Sequence, residues 1–478
     1  MARMGPIFIG HTRYSLFVPR SAAWRASANE SVSGESKPES LTESYKKYLY
    51  EEERLEFRDY VFTNLTAPAL ASAADGYNVV HFVTFSESLP EKYKMSLRRT
   101  AQRFPVLKLL ELPDGISGGA QIDSYIRKNV SGVFGKYRLD DDDVLGQNYF
   151  TAMARYVNER FVGTAVSLPL GIEAVWDGKG YFNFREAHVP MNSMGLLYVC
   201  EHKGDGTIIS PRTGAHDKSD RYAPVILDAR QIGYLRTNHS GQDNLLRHKG
   251  TSVFPVLLHN MDKFPALATP EVIEESFPAV SSLILGKDST FKRSFDAQLK
   301  NGIQIQLEDG SSGITVLVEG TAPENLEQNS VVLAMDILNN NGRRVSKLVS
   351  VIGVGASPNH AIGHFRYFNI KPGSFRAMAS VYLPDGMVVL KARILPLTSV
   401  AKSIVVASVS CTHNAESVSV TEIDSGVSLE DNRFSNTVQR WGLGIGRRVL
   451  PGIKMVMRRS LGKKRTDSII RSVVARIC

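Results

Sequence analysis

Cysteine is scarce in this sequence, and its scarcity argues against a disulfide-stapled fold. The 478 residues contain three cysteines, Cys200, Cys411 and Cys478, an odd number at wide separations. Such usage is typical of a reducing compartment, where thiols stay unpaired. No metal-ligand spacing joins them, so we expect three ordinary thiols.

Long apolar runs are also missing. The short apolar stretch near the N-terminus, PIFIG, is interrupted at once by His11 and Arg13, which leaves no hydrophobic region of a signal peptide. No window reaches the roughly 18 uncharged apolar residues that a membrane-spanning helix needs. The short signatures GxxxxGK[ST], HExxH and CxxC are absent as well. We therefore predict a cytoplasmic protein that does not use these enzyme chemistries.

An excess of positive charge is confined to the C-terminus. The formal net charge is +9, but residues 440–478 hold eleven Lys or Arg and one acid, a net +10, which leaves the remainder at −1. Apolar residues recur there at helical spacing, so we predict a basic amphipathic tail that binds an anionic membrane surface. Docking on the protein's own surface is the alternative. Nucleic acid is disfavoured because Trp441 is the only aromatic residue after Phe434.

The first of three predicted regions, residues 1–280, alternates strands with helices. Strands are predicted at 77–85, 106–112 and 133–139, and helices at 90–104, 119–129 and 147–161. The first of these helices has Pro90 in its first turn and apolar residues at helical spacing. This β-α-β-α-β-α order predicts an α/β domain with a mainly parallel sheet covered by helices.

The second region, residues 285–425, consists of short β segments. Turn signals such as Pro384-Asp385-Gly386 separate them, a rhythm that predicts an antiparallel β-sandwich domain. No cluster of ligands or nucleophiles stands out in it. We expect it to bind glycan or, more simply, to pack on the first domain or assemble oligomers. The third region, residues 430–478, is the basic helical tail.

Four consecutive aspartates, residues 140–143, stand between the predicted strand 133–139 and the predicted helix 147–161. Neighbouring carboxylates repel, and each pKa should rise unless a positive group lies among them. On a strand, Asp140 and Asp142 would share one face, which suits a hard divalent cation. One remaining aspartate would cap the next helix. A solvated acidic turn with a helix cap is the alternative.

The first region also resembles a known family. The segments GHTRYSLF, VVHFVTFSESLPEKYKMSL, YRLDDDDVLGQNYF and RTNHSGQDN are similar to those of the rhamnosyltransferase family, GT-A-like glycosyltransferases of bacteria, over about residues 5–270. The resemblance implies a GT-A-like, Rossmann-like domain in residues 1–280, with the acidic run as its DXD motif. In that class a cation bridges the donor's diphosphate and stabilises the leaving nucleoside diphosphate.

The resemblance implies roles for residues on the donor side. Asp142 is the expected direct metal ligand and Asp140 the next, and Asp140 and Asp141 are expected to contact the donor. Arg13 should lie near the nucleotide or its phosphates, and Gly195 where the backbone approaches the donor sugar. The alternatives are a surface ion pair for Arg13 and an ordinary turn for Gly195.

The resemblance also implies a base and a further metal ligand. An inverting transferase needs a carboxylate to take the proton of the acceptor hydroxyl, and Asp217 is the candidate, with Glu201 and Asp243 behind it. His239 is expected to complete the metal shell, with His216 as its competitor. A polar loop residue and a structural histidine are the simpler interpretations of Asp217 and His239.

We therefore expect a metal-dependent glycosyltransferase, a rhamnosyltransferase by its resemblance, that uses a nucleotide-sugar donor and Mn²⁺ or Mg²⁺. The expected acceptor is a cell-surface glycan or its lipid-linked precursor, because the basic tail would hold the enzyme at the inner face of the cell membrane. Two alternatives remain. One is a non-catalytic glycan-binding or assembly protein with a structural metal, and the other is a metal-dependent phosphoryl-transfer or hydrolytic enzyme.

Overall fold

Strands and helices alternate over residues 78–138, as the apolar pattern there predicts, and strands predominate from there to residue 238. The computed structural model describes residues 5–19, 38–178, 180–242, 253–267, 271–285, 290–339, 341–346, 354–359, 361–384, 386–413 and 417–423. The strands are β1 (Ile7–Arg13), β2 (Asn78–Ser86), β3 (Leu107–Leu112), β4 (Gly132–Arg138), β5 (Asp143–Leu145), β6 (Ala165–Ser167), β7 (Leu170–Trp176), β8 (Tyr181–His188), β9 (Leu197–His202), β10 (Ile208–Ile209), β11 (Val225–Leu227), β12 (Tyr234–Asn238), β13 (Thr290–Gln298), β14 (Ile303–Ser311), β15 (Gly313–Ala322), β16 (Val331–Asn339), β17 (Gly355–Ala356), β18 (His364–Tyr367), β19 (Gly373–Tyr382), β20 (Met387–Pro396), β21 (Val405–His413) and β22 (Val418–Glu422). The α-helices are α1 (Pro38–Leu49), α2 (Glu52–Val61), α3 (Ala67–Ala73), α4 (Glu91–Arg103), α5 (Gly119–Asn129), α6 (Tyr149–Ala154), α7 (Val253–Met261), α8 (Glu271–Ser276) and α9 (Ser281–Leu285).

The central sheet is mainly parallel, as predicted. Its strands lie in the order β11-β6-β9-β4-β1-β2-β3, and β10 pairs with β9. Strand β1 runs parallel to both neighbours, with Ile7 opposite Asn78 and Phe134, whereas β9 is antiparallel to β4. Because β1 to β4 point the same way, their carboxyl ends meet at one edge of the sheet. Ligands bind beyond that edge in open α/β sheets.

Both faces of the central sheet are covered, which explains the continuous apolar runs of its strands. Phe8 points into one core with Phe150, and Ile9 points into a second core with Phe82 and Ile126 of α5. Successive residues of a strand face opposite sides, so β1 contributes to both cores. The sheet is therefore a rigid platform for side chains at its carboxyl edge.

The four aspartates lie in a turn, which corrects the predicted strand with alternating faces. Asp140 follows β4, and Asp143 is the first residue of β5, where its backbone N–H approaches the Asp140 carbonyl at 3.4 Å. The run DVL that ends the turn is buried and pairs with Tyr234–Arg236 of β12. The aspartates thus connect the central sheet to a second sheet, ordered β5-β12-β7-β8.

The helix predicted at 147–161 is shorter than its apolar spacing indicates. Helix α6 begins after Asn148, so Asp143 does not cap it, and it ends at Ala154. The stretch closes with a separate 3₁₀ helix, Glu159–Phe161, where the Asn158 side chain accepts a hydrogen bond from the Arg160 N–H. Asn158 caps the 3₁₀ helix. Because the backbone of Asn158 is extended, the 3₁₀ helix is a new element and not a continuation of α6.

Strands β13 to β22 form two antiparallel sheets that pack together. The sheets have the orders β13-β21-β15-β19 and β17-β18-β16-β20-β14-β22. Val316 and Ala379 of the first sheet share one buried core with Ile305 and Leu333 of the second. The antiparallel sheets predicted for this part of the chain are therefore confirmed.

Helix α7 and strand β8 contact the sandwich directly. The Tyr382 ring at the end of β19 packs 4.4 Å from the Phe254 ring and 6.0 Å from the Phe182 ring, measured between centroids. Ser380 donates a hydrogen bond to the Asn183 side-chain oxygen at 2.7 Å. The two parts of the chain thus share a joint with both apolar and polar contacts.

The predicted basic tail, residues 430–478, lies outside the described residues. Among the helices of the described part, none has the length and hydropathy that a bilayer crossing requires.

Candidate functional site

Asp142 and His239, two of the predicted metal ligands, lie in contact although 97 residues separate them. The His239 Nε2 atom donates a hydrogen bond to the Asp142 Oδ2 atom at 3.0 Å, and both residues are buried. Strand pairing causes this approach, because β5 begins just after Asp142, β12 ends just before His239, and the two strands are antiparallel. The contact lies at the carboxyl edge of the central sheet.

His239 is held in one neutral form by its surroundings. The Gly241 backbone N–H donates to Nδ1 at 3.1 Å, so Nδ1 is an acceptor and the ring proton lies on Nε2, facing Asp142. Burial lowers the pKa of His239 to about 4, despite the opposing effect of the Asp142 carboxylate. The Phe57 ring covers the imidazole, with 4.0 Å between the two ring centroids. The ring is therefore neutral and fixed in orientation at neutral pH.

The positive group among the aspartates is Arg58, which the sequence analysis missed. One guanidinium nitrogen of this α2 residue contacts Asp141, and the other lies 3.1 Å from the Asp142 Oδ2 atom. Arg58 is 4% exposed, so its charge is scarcely screened by water. The sequence signal that could have identified Arg58 is its place on the buried face of α2, together with Arg54 and Leu55. A charged residue on the apolar side of a helix indicates a buried partner.

The shared guanidinium and burial push the pKa values of the two carboxyl groups apart. Burial raises the pKa of Asp141 to about 6, against the opposing effect of Arg58. Burial would also raise the pKa of Asp142, but Arg58 and the hydrogen bond from His239 outweigh it and leave that pKa below its ordinary value. The Asp141 Oδ2 atom also accepts the Ser15 backbone N–H at 3.1 Å. Both groups are therefore ionised slightly above neutral pH.

The two outer aspartates have different surroundings. Arg138 donates to both carboxylate oxygens of Asp140, at 2.7 and 3.0 Å. Burial, followed by the neighbouring carboxylates of Asp142 and Asp140, raises the pKa of Asp143 well above its ordinary value. Asp143 is thus the member of the run that holds a proton most readily, and it belongs to β5 rather than to the open edge.

Arg13 lies at the same sheet edge as the aspartate turn. It is the last residue of β1 and is opposite Thr84 of β2. Burial and the neighbouring Arg138 guanidinium lower the pKa of Arg13 to about 10, against the opposing carboxylates of Asp140 and Asp141. Two guanidinium groups that repel each other at one edge favour an anion between them.

Gly195 lies next to the end of β4. Its N–H donates to the Arg138 carbonyl at 2.9 Å, and its own carbonyl accepts from the Tyr149 hydroxyl at 2.7 Å. Its φ of +75° lies in the left-handed region, and a Cβ atom there would be 2.6 Å from the Tyr149 ring. Glycine is therefore required on both conformational and steric grounds.

The candidate bases lie at different places on the molecule. Asp217 is exposed on the 3₁₀ helix His216–Arg221, which the His216 Nδ1 atom ties to the Met191 carbonyl at 3.0 Å. Met191 precedes Gly195 in the same loop, so Asp217 belongs to the Gly195 side of the sheet edge. Glu201 is opposite Val133, at the other end of β4. Asp243 lies outside the described residues.

The Asp142–His239 pair has the spacing of two protein ligands on one cation, which Nε2 can bind once it has lost its proton. Two ligands at right angles and about 2.1 Å from one octahedral cation are about 3.0 Å apart, the separation found here. A neutral imidazole and an ionised carboxylate are the required forms. Asp140 pairs with Arg138 instead, and within the described residues no three His, Cys, Asp or Glu side chains gather as a complete ligand set. Binding through Nε2 would also shift the ring proton to Nδ1 and break the contact with Gly241.

The fold and the site define an α/β protein with an acidic turn at the carboxyl edge of parallel strands. A family model described as "Putative rhamnosyl transferase" matches residues 9–249, just over half of the chain, and the chain belongs to this family.

Comparisons with curated proteins and with solved structures add no closer assignment. No curated protein matches the chain. A crystal structure of S. aureus TarS, residues 1–349, is similar at 10% identity over 57% of this chain, with a TM-score of 0.25. The match spans 66% of that chain, slightly under two thirds of its length.

Proposed function

We propose that this protein is a GT-A-like glycosyltransferase that moves a sugar, rhamnose by its family, from a nucleotide-sugar donor to an acceptor hydroxyl. The observation that carries the proposal is the buried contact between Asp142 and His239 at the carboxyl edge of a parallel sheet in a member of this family. Residues 1–280 form the transferase domain in this proposal, and residues 285–425 form the sandwich domain.

The donor's diphosphate is proposed to lie between the ends of β1 and β4. Arg13 and Arg138 provide positive charge there, and Asp140 orients Arg138 through its bidentate contact. Gly195, whose N–H donates to the carbonyl of Arg138 at the end of β4, is proposed to bring the backbone close to the donor sugar. Asp141 holds Arg58 and the Ser15 N–H and so fixes the turn beneath the donor.

Asp142 and His239 are proposed to hold a divalent cation, Mn²⁺ or Mg²⁺. When bound, such a cation offsets the charge that develops on the departing diphosphate. The protein supplies one carboxylate oxygen and one imidazole nitrogen, and it keeps the imidazole neutral by burial. Phe57 covers one face of the ring. Phosphate oxygens and water would complete the shell, as is usual for Mg²⁺.

Asp217 is the proposed base for the acceptor hydroxyl. It is exposed, so an acceptor can reach it, and its helix is tied to the loop that carries Gly195. A positioned carboxylate contributes about 10² to 10⁴ in rate through proton transfer. The acceptor is proposed to be a cell-surface glycan or its lipid-linked precursor, reached at a membrane surface through residues 430–478.

A thermal-shift screen tests this function. The full chain is heated with nucleoside diphosphates and their sugars, each with Mn²⁺ and with EDTA. We expect a nucleotide-dependent rise in melting temperature that requires Mn²⁺ and is lost in Asp142→Asn. Asp123→Asn is the matched control, because it removes a partly exposed carboxylate that pairs with Lys136 at 3.2 Å. A stabilisation that is the same with EDTA, or that survives in Asp142→Asn, would count against the cation site.

A further inference from the structure

The Asp142 Oδ2 atom accepts from two donors at once, Arg58 at 3.1 Å and His239 at 3.0 Å. A second nitrogen of Arg58 contacts Asp141, so one guanidinium pairs with two carboxylates. The guanidinium of the buried Arg54 also acts on both of these carboxylates.

We propose that Arg58 is a positioning residue that balances the aspartate turn before substrate arrives, so that the divalent cation is retained only together with the donor's diphosphate. This inference rests on the proposed function, since it concerns the same cation site. Arg58 has two roles in it. It keeps Asp141 and Asp142 in place without a cation, and it weakens the attraction of these carboxylates for a cation that comes alone.

Charge decides the order of binding. A lone divalent cation meets carboxylates that already pair with a guanidinium, and it must compete with the Arg58 and His239 contacts for the same oxygen. A diphosphate adds further negative charge and several oxygen ligands on the open side. Mg²⁺ sites in proteins are commonly built in this way, from one or two carboxylates and the phosphates of the substrate.

Arginine suits this role better than lysine. Its planar guanidinium presents two nitrogens in a fixed geometry, one for each carboxylate, and it stays protonated when buried. Helix α2 fixes the position of the Arg58 side chain, because Leu55 and Val61 are buried on the same face of the helix. The helix then continues through a π turn, Phe62–Thr66, and the Thr66 hydroxyl donates to the Asp143 carbonyl at 2.9 Å. Two points of contact thus fix α2 against the aspartate turn.

The test is the affinity for Mn²⁺ at pH 7.5 without nucleotide, measured by calorimetry or by the paramagnetic resonance signal of free Mn²⁺. The wild-type chain should bind weakly. Arg58→Gln removes one positive charge and should tighten binding roughly tenfold or more, as expected for a neighbouring unit charge. Asp141→Asn removes one negative charge and should weaken binding. The double variant Arg58→Gln/Asp141→Asn makes both changes, and its affinity should return near the wild-type value.

Arg98→Gln is the matched control, because Arg98 is an exposed arginine paired with Glu91 and Glu111. Its Mn²⁺ affinity should equal that of the wild type. If Arg58→Gln does not fold, the double variant is compared with Asp141→Asn, and it should bind Mn²⁺ more tightly. Equal affinities in that comparison, or in Arg58→Gln and the wild type, would overturn the proposal. So would tight Mn²⁺ binding by the wild type without nucleotide.

The same measurements separate this inference from the proposed function. If the affinities follow the predicted order but no sugar nucleotide is turned over, the transferase is rejected and the charge-balancing role of Arg58 is kept. If turnover occurs and the affinities do not change, the role of Arg58 alone is rejected.

Discussion

The guanidinium of Arg58 and the imidazole of His239 meet on one carboxylate oxygen, the Oδ2 atom of Asp142. Helix α2, the turn after β4 and the end of β12 therefore converge on a single atom. These three segments come from residues 52–61, 140–142 and 234–239, so the site depends on the folded domain rather than on a local motif. Each partner can be removed separately, which makes the site testable.

The first prediction concerns the choice of histidine. His239→Gln should abolish Mn²⁺-dependent nucleotide binding, because glutamine supplies no imidazole nitrogen for the cation. His216→Gln should leave that binding unchanged, since His216 is exposed and contacts the Met191 carbonyl instead. Calorimetric titration of both variants with nucleoside diphosphate and Mn²⁺ measures the difference. The reverse pattern would assign the ligand to His216.

The second prediction concerns Gly10 in the middle of β1. A Cβ atom there would be 2.1 Å from the His81 Nδ1 atom and 2.4 Å from the Tyr137 ring, both of which are buried. Gly10→Ala should lower the free energy of unfolding by about 1–3 kcal/mol, the usual cost of overpacking. Gly119→Ala is the control, since the nearest atom is 4.0 Å away. Equal urea midpoints for the two variants would contradict the packing described here.

The third prediction concerns acid stability. His81 donates or accepts hydrogen bonds with Thr12 and Tyr137 at 2.8 and 2.9 Å, and burial lowers its pKa to about 3 from an ordinary 6.5. Between these two values the unfolded chain binds a proton that the folded chain excludes, so stability falls as the pH is lowered below 6.5. From pH 6.5 to 5 the loss from one such histidine is about 2 kcal/mol.

Thermal unfolding at pH 7 and pH 5 checks this sign. His81→Gln should be less stable than the wild type at pH 7 but should lose less stability on acidification. His188→Gln, which changes an exposed histidine, should follow the wild type. A slope in His81→Gln as steep as that of the wild type would show that His81 does not contribute.

The fourth prediction concerns the joint between the first part of the chain and the sandwich. Asp262, after α7, contacts the buried Arg366 of β18 and lies 3.5 Å from the buried Arg185 of β8. Asp262→Asn removes the carboxylate between two buried guanidinium groups. We expect a loss of about 2 kcal/mol or more, below the range for a fully buried pair because Asp262 is partly exposed.

Chemical denaturation of Asp262→Asn and Asp123→Asn compares a carboxylate between two buried guanidinium groups with one in a partly exposed ion pair. The second variant should change stability by less than about 1 kcal/mol. Similar small losses in both variants would mean that the joint relies on Tyr382 and its aromatic neighbours rather than on Asp262.

Sequence patterns predicted the regular elements well and the irregular ones poorly. Helix α5 and the strands β2, β3 and β4 follow from apolar spacing, because each has a long uniform pattern. The aspartate turn does not, since the apolar residues after it belong to β5 and pair with a strand about ninety residues away. Local patterns contain no information about such a partner.

The candidate site shows the same limit. A resemblance in two segments brought Asp142 and His239 to attention, and the antiparallel pairing of β5 with β12 explains why they meet. Arg58 was missed because it belongs to neither segment. Its partners are 83 and 84 positions away, and a helix pattern shows only that its side chain is buried.

The most direct test of the account is the rate at which nucleoside diphosphate is released from a panel of sugar nucleotides, those of rhamnose included, by the full chain with Mn²⁺. We predict release from one donor class by the wild type, faster with acceptor than without, and a loss of about 10²-fold or more in Asp142→Asn, because transition-state charge stabilisation is removed. Asp123→Asn should retain the wild-type rate. Release that is equally fast in Asp142→Asn and the wild type, or no release from any donor, would contradict a glycosyltransferase built on the Asp142–His239 pair.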